Sequence, residues 1–349
     1  MYITGGVGAR SSGEAFGDPY ELPNLNAYAE SCAAIGNMMW NWRMLAATGE
    51  ARFTDVIERA LYNGINSGMS LNGALYCYRN PLEYVPGAGR PIRNPWYDTL
   101  CCPPNLERTL AALPGYFYST ASDGIYVHLY NSSELDGRLE NGTRIKVVQK
   151  TGYPWDGNVE MTVTPEAASE FTFHVRIPGW TTAAQVTVNG RSWSGAAPGQ
   201  YLPIKRRWTA GDKIRLELDM TPRMVSANPR VIDDSGRVAV ERGPLVYCLE
   251  QLDQPAGASL KDLALAAGPR AGKDFRSEFR KELLGGMVVL QHAGVLYETP
   301  LSQEPLYQLF AKSVRRPSRP VLLTMIPYYA FANREPTEMR VWIPYPGQP

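Results

Sequence analysis

In the stretch Cys101-Cys102-Pro103-Pro104-Asn105-Leu106-Glu107-Arg108-Thr109-Leu110-Ala111-Ala112-Leu113-Pro114-Gly115-Tyr116, one periodicity gives way to another. Prolines are tolerated in a first helical turn, Leu106, Leu110 and Leu113 recur at helical spacing, and Pro114-Gly115 stops the pattern, so a helix is expected here. Upstream, Ile35, Met38, Met39, Trp42, Leu45 and Ala46 mark the apolar face of a helix that starts near Cys32 and stops at Gly49. Val56, Ile57, Ala60 and Leu61 mark a second, over about 54–62, ended by Asn63-Gly64. Residues 65–100 read as a hairpin and an extended loop, and residues 1–25, rich in Gly, Ser, Pro and Asn, as a long loop. Downstream of Tyr116 the period falls to two. Runs at 125–130, 145–148, 159–163, 171–177, 185–188, 214–218, 238–240, 245–249, 321–325 and 339–343 are β-type, and Asn189-Gly190 is a two-residue hairpin turn. The expectation is a multidomain α + β chain ending in one or two β-sandwiches, with a boundary near 220–234 and a polar excursion over 252–283.

A chain of 349 residues exceeds what one core usually holds, which predicts two or three domains. Thirty-five Lys and Arg against 34 Asp and Glu leave a formal charge of +1. That balance provides no footprint for nucleic acid and no attraction to an anionic membrane, so neither is expected as a partner. No apolar run approaches the roughly 20 residues of a membrane helix, and the first residues lack the layout of a secretory signal. Five cysteines, an odd number, do not make a disulfide framework, so reduced thiols and a cytoplasmic rather than periplasmic location are favoured. Met1 to Gly8 enters a Gly-rich stretch with no preceding element, as if the sequence began mid-domain and the true N-terminus, with any export signal, were missing. Gly6-Val7-Gly8 resembles part of a dinucleotide fingerprint, but no strand precedes it and no Walker lysine follows.

Three cysteines and two carboxylates stand at chemically suggestive positions: Glu14, Glu30, Cys32, and the Cys101-Cys102 pair. Residues two apart in a helix are about 200° apart around its axis, so Glu30 and Cys32 could share a target only at a helix start, with Ser31 as the N-cap. Cys101 and Cys102 sit just ahead of the proline-opened helix, where the positive dipole end favours thiolate. Three thiolates and a carboxylate are a tetrahedral set suited to zinc (Zn2+), and the three histidines, His128, His174 and His292, all lie outside the α-rich part. Spacing alone leaves other readings open: small buried hydrophobes, or a redox pair, although adjacent cysteines close a strained ring. Glu14 by itself reads as a solvated loop carboxylate.

Taken together, Gly13-Glu14-Ala15-Phe16, Leu22-Pro23-Asn24, Glu30-Ser31-Cys32, Asn63-Gly64, Cys101-Cys102-Pro103 and FTFHVRIPGW at 171–180 resemble glycoside hydrolase family 127, the β-L-arabinofuranosidases, along nearly the whole chain. The resemblance implies the C-terminal part of an (α/α)6 barrel over 1–117, followed by β-sandwich domains over 118–225 and 226–349. It implies retaining hydrolysis of an arabinose-containing glycan or oligosaccharide, with Cys101 as nucleophile and Glu14 as general acid/base. Glu30, Cys32, Cys101 and Cys102 would hold zinc, and Glu58 and Tyr78 would contact the sugar or orient the nucleophile. Members carry a long helical region ahead of the Gly-rich loop, so apolar helix faces are expected to be exposed here, favouring association between copies and an inactive isolated chain. The alternative from another class is a non-catalytic carbohydrate-binding protein whose thiols, with or without zinc, serve only the fold.

Overall fold

Three α-helices lie in the first third of the chain: α1 (Ser31–Thr48), α2 (Ala51–Arg59) and α3 (Cys102–Ala112). They belong to a computed structural model that describes residues 1–87, 91–268, 274–298, 307 and 316–346. α1 stops where its sequence says, with Gly49 at φ 71° and its N–H bonded to the Leu45 carbonyl. α2 does not end at Asn63-Gly64; it runs on as a π-helical turn, Ala60–Ile65. Asn63 is fully buried, donating to the carbonyls of Arg59 and Pro244 at 2.9 Å and accepting from Val246 N–H at 2.8 Å. It is a clamp between chain segments rather than a helix stop.

Ile35, Met38, Leu45, Ile57, Leu61 and Leu106 form the helical core. Met39 and Leu110, expected on the same faces, are 39 % and 37 % exposed, and Trp40 is 70 % exposed. The apolar stripe is wider than the face that the neighbouring elements cover.

The helices rest on a four-stranded sheet ordered Gln200–Trp208, Ser169–Ile177, Gly124–Val127, Tyr118–Ala121. A six-stranded sheet faces it, ordered Ser133–Arg138, Arg144–Thr151, Asn158–Pro165, Asp212–Leu218, Ala184–Val188, Arg191–Trp193. Phe171, Phe173, Val175 and Ile177 point into their common core with Val147, Met161, Val163, Ile214 and Leu216. Asp212–Leu218 alternates buried and exposed, as a sheet with one solvated face must. Ser169–Ile177 instead is buried on both faces, because on the second face Arg176 meets α2 and His174 stacks on Tyr126. Gln200–Trp208 is not legible as a strand because of Pro203, which fits here because the strand lies at the sheet edge.

Among the described residues, the rest is one hydrogen-bonded network of ten strands. Its long strands, Met287–Glu298 and Arg316–Pro327, pair antiparallel, and the β-type runs of the sequence do not reach the first of them. Within the polar 252–283, Leu263–Leu265 and Arg276–Arg280 both pair with Met287–Glu298, while 269–273 lie outside the described residues. Arg223–Val225 belongs to this sheet through Arg237–Arg242, and so does Glu83–Tyr84 through Met339–Arg340. Tyr2, Ala27, Ala29, Cys77 and Leu82 share its core with Val240, Tyr247 and Leu249. The non-helical segments of the first hundred residues therefore pack on the C-terminal sheet while the helices pack on the sandwich. No helix among the described residues is long and apolar enough to cross a membrane.

A buried ion cluster locks α2 to the sandwich. Arg176, wholly buried, donates to Asp55 Oδ1 at 2.7 Å, to Glu58 Oε1, and to the His128 carbonyl at 2.6 Å. Trp180 Nε1 donates to Glu58 Oε2 at 2.9 Å and the Tyr153 hydroxyl to Oε1. Burial by itself would lower the affinity of Arg176 for its proton, but the charges of Glu58 and Asp55 outweigh it. Arg176→Met should cost about 3–5 kcal/mol in urea unfolding, because Glu58 is left charged and uncompensated; adding Glu58→Gln should recover a large part of the loss. His128, between Ser119 and Tyr201 and edge-on to Trp42, is pushed down to about 3 by burial and then by Arg176. The unfolded chain takes up this proton below pH 6.5 and the folded chain does not, so stability falls as pH drops through 6.5 towards 3. His128→Gln should flatten that slope by about one proton, read as the urea midpoint against pH.

Candidate active site

Glu30, not Ser31, is the N-cap of α1, with extended backbone (φ −60°, ψ 140°) and no capping bond from its side chain. Ser31 is wholly buried and spends its hydroxyl on the Cys77 carbonyl at 2.8 Å, which frees the Glu30 carboxylate to turn elsewhere. α3 starts in the same way, with Cys101 as N-cap and Cys102 as first helical residue ahead of the prolines. The two helix starts converge. Cys102 Sγ lies 3.3 Å and Cys101 Sγ 3.5 Å from Glu30 Oε1, and the two sulfurs are 3.7 Å apart. With Cys32, the four ligand atoms all lie within 4.8 Å of one another.

Gly68 makes this approach possible. A Cβ there would stand 2.8 Å from both Leu106 Cδ2 of α3 and Ser31 Oγ of α1. Beneath it, Asn80 donates to the Ala29 carbonyl and to Ser31 Oγ, both at 3.0 Å, and accepts from Ser67 Oγ at 2.8 Å. Burial pushes the Cys32 thiol up to about 11 and Cys102 further above its ordinary range. A carboxylate and three thiols sharing one small volume have the donor number and softness that a tetrahedral dication takes, so these residues could hold a metal ion. Cys77 and Cys248 are buried elsewhere in the C-terminal core.

Beside the cluster stands the carboxylate of the Gly-rich loop. Tyr78 Oη lies 3.0 Å from Cys101 Sγ and 3.4 Å from Glu14 Oε1, so one hydroxyl spans the two. Tyr28 Oη donates to the same Glu14 oxygen at 2.7 Å. Burial raises both phenols above their usual range, reinforced for Tyr78 by Cys101 and for Tyr28 by Glu14. Glu14 follows Gly13 in the left-handed region, at φ 49° after φ 71°, a conformation that costs a non-glycine residue of order 1 kcal/mol or more. Arg10 ties the loop together through Glu21 at 2.8 Å and Asp18 at 2.9 Å.

The structure thus gathers Glu14, Glu30, Cys32, Tyr78, Cys101 and Cys102, and does not bring Glu58 with them. Glu58 faces the sandwich, and both its oxygens are taken by Arg176, Tyr153 and Trp180. In this structure it serves as an anchor of the fold. Tyr28, Gly68 and Asn80 carry no motif that sequence reasoning could have caught.

Three family profiles match the chain in succession: the GH127 catalytic domain of β-L-arabinofuranosidase over residues 1–115, the GH127 middle domain over 124–220, and the glycoside hydrolase family 127 C-terminal domain over 222–344. The chain belongs to glycoside hydrolase family 127. A non-reducing end β-L-arabinofuranosidase of Bifidobacterium longum subsp. longum is 37 % identical over 98 % of the chain and 53 % of the relative. Among solved structures, a GH127 β-L-arabinofuranosidase from Geobacillus stearothermophilus T6 superposes with a TM-score of 0.92 at 40 % identity, covering 99 % of this chain and 54 % of that one. A GH127 β-arabinofuranosidase superposes with 0.88 at 40 % identity over the same shares. The chain spans about half the length of these relatives. Three helices are not a closed (α/α)6 barrel; the likeness to family 127 members lies in the β-rich body and the few helices that abut it.

Titration with Co2+ should produce a sulfur-to-metal charge-transfer band that saturates at about one equivalent and should protect Cys32, Cys101 and Cys102 from alkylation until chelator is added, while the buried Cys77 and Cys248 respond to neither. Thiols with raised pKa must lose protons to bind, so affinity should rise with pH between 6 and 8. Gly68→Ala should weaken it by about tenfold by displacing Ser31 Oγ and the Leu106 side chain at the two helix starts.

Proposed function

We propose that this chain carries the nucleophile and the acid/base of a retaining glycoside hydrolase that releases β-L-arabinofuranose, or a related pentose, from arabinose-containing glycans. The single observation that carries the reading is the Tyr78 hydroxyl spanning Cys101 Sγ and Glu14 Oε1. Retaining hydrolysis needs a nucleophile and an acid/base about 5–5.5 Å apart, a distance one hydroxyl can bridge. The names and 37–40 % identity of the relatives support the substrate class. The metal proposed is zinc, held by Glu30, Cys32, Cys101 and Cys102; bound there, it supplies the charge that keeps the sulfurs as thiolates.

Cys101, more open than the buried Cys102, attacks the anomeric carbon. As the glycosidic C–O bond breaks, Glu14 gives its proton to the leaving oxygen, and the sugar is held as a thioglycoside on Cys101. Glu14, now a carboxylate, takes a proton from water; the water oxygen bonds to the anomeric carbon, the C–S bond breaks, and the thiolate returns. The same reading takes residues 1–117 as part of an (α/α)6 barrel, with β domains over 118–225 and 226–349, in a cytoplasmic protein.

The test is hydrolysis of a nitrophenyl β-L-arabinofuranoside by the zinc-loaded chain. Cys101→Ser and Glu14→Gln should each lower kcat by about 10²–10⁴, with most zinc retained in both. Full activity in Cys101→Ser would remove the cysteine from the mechanism, and glycan binding without hydrolysis in any form would favour a carbohydrate-binding protein.

A further inference from the structure

Glu14 is exposed, on a three-residue turn (Ser12–Glu14) of the Gly-rich loop, and among the described residues its side-chain bonds are those to Tyr28 and Tyr78. Both reach Oε1. The short one, at 2.7 Å, comes from Tyr28; the longer, at 3.4 Å, comes from a hydroxyl that Cys101 shares at 3.0 Å. Tyr28 belongs to a far more rigid part of the chain. Its neighbours Ala27 and Ala29 are wholly buried, Ala29 N–H bonds to the Gly8 carbonyl at 2.8 Å, the Tyr28 carbonyl accepts from Asn80 N–H at 3.3 Å, and its ring lies 6.2 Å from that of Tyr78. An exposed carboxylate is thus tethered to the buried approach to α1.

We propose that Tyr28 is the positioning residue of Glu14, assigning the proton to Oε2; this rests on the hydrolase reading above. A phenol that donates to Oε1 can keep that bond in both forms of the carboxyl group only if the proton sits on the other oxygen. In the acid form Oε1 is the carbonyl oxygen and accepts; in the carboxylate form it still accepts. The bond therefore survives the whole cycle, and Oε2 is the oxygen that gives its proton to the leaving group and later takes one from water. Without the tether Glu14 keeps its chemistry but loses its aim, and proton transfer falls off steeply with misplacement.

The consequence depends on the leaving group. A poor leaving group needs its oxygen protonated as the bond breaks, whereas a dinitrophenolate leaves almost unaided. With the full zinc-loaded chain, Tyr28→Phe should lower kcat/KM by about 10–100-fold for an alkyl or glycosyl arabinofuranoside and by less than about threefold for the dinitrophenyl one. Glu14→Gln should show the same gradient more strongly. The thermal midpoint and the Co2+ band of Tyr28→Phe should match the parent, since ring and ligands are untouched. A loss uniform across the series, or none at all, overturns the assignment while leaving the hydrolase reading intact. A parent chain that hydrolyses no member of the series overturns that reading, and the assignment with it.

Discussion

Gly68 stands where two helices start. With a Cβ placed 2.8 Å from Ser31 Oγ and from Leu106 Cδ2, no larger residue fits there without displacing the Ser31 hydroxyl, the Leu106 side chain or both. Everything chemical in the chain depends on that approach, because the four candidate ligands come in pairs from those two helix starts, Glu30 and Cys32 from one and Cys101 and Cys102 from the other. Helix N-termini suit such a site twice over: their dipoles favour anionic side chains, and their first residues have not yet entered the helical rotation that would point Glu30 and Cys32 apart. Asn80, one buried amide with three partners, holds the floor beneath both.

Placement of the Glu14 carboxylate follows a different logic. Glu14 sits on an exposed loop in a strained backbone conformation, steadied by an Arg10 clamp on Glu21 and Asp18 and by the tyrosines behind it. Exposed ion pairs contribute little to stability, so the clamp shapes the loop more than it strengthens the fold. The sulfurs are placed by helix starts and the Glu14 carboxylate by a loop, so the two parts of the candidate site rest on different kinds of support. Arg176, Glu58 and Asp55 do the opposite work deep in the interface, where charges are costly to bury and one geometry satisfies them all, so the cluster fixes how α2 sits on the sandwich.

Much of this was legible in particular residues. Gly49 ends α1, Pro103 and Pro104 open α3, and the alternation at 212–218 matches a strand solvated on one face, because each is a local backbone preference that neighbours only confirm. The misses have equally specific causes. Met39 and Leu110 carry the right period but lie beyond the covered part of their helices. Pro203 hides an edge strand, and Asn63-Gly64, a stop signal by composition, is a clamp because Pro244 and Val246 are there to meet it.

The sequence by itself determined the change from helix to strand after Tyr116, the starts of α1 and α3, and a set of soft and hard ligands fit for a dication, since these follow from residue chemistry and short-range periodicity. Only the tertiary structure decided which carboxylates serve the site. Glu14, Glu30 and Glu58 look alike in a string of letters, yet one meets two tyrosine hydroxyls, one meets two sulfurs, and one is consumed by a buried arginine 118 positions away. The reason is physical: what a carboxylate does is set by the donors and the dielectric around it, and those are supplied by segments far off in the chain.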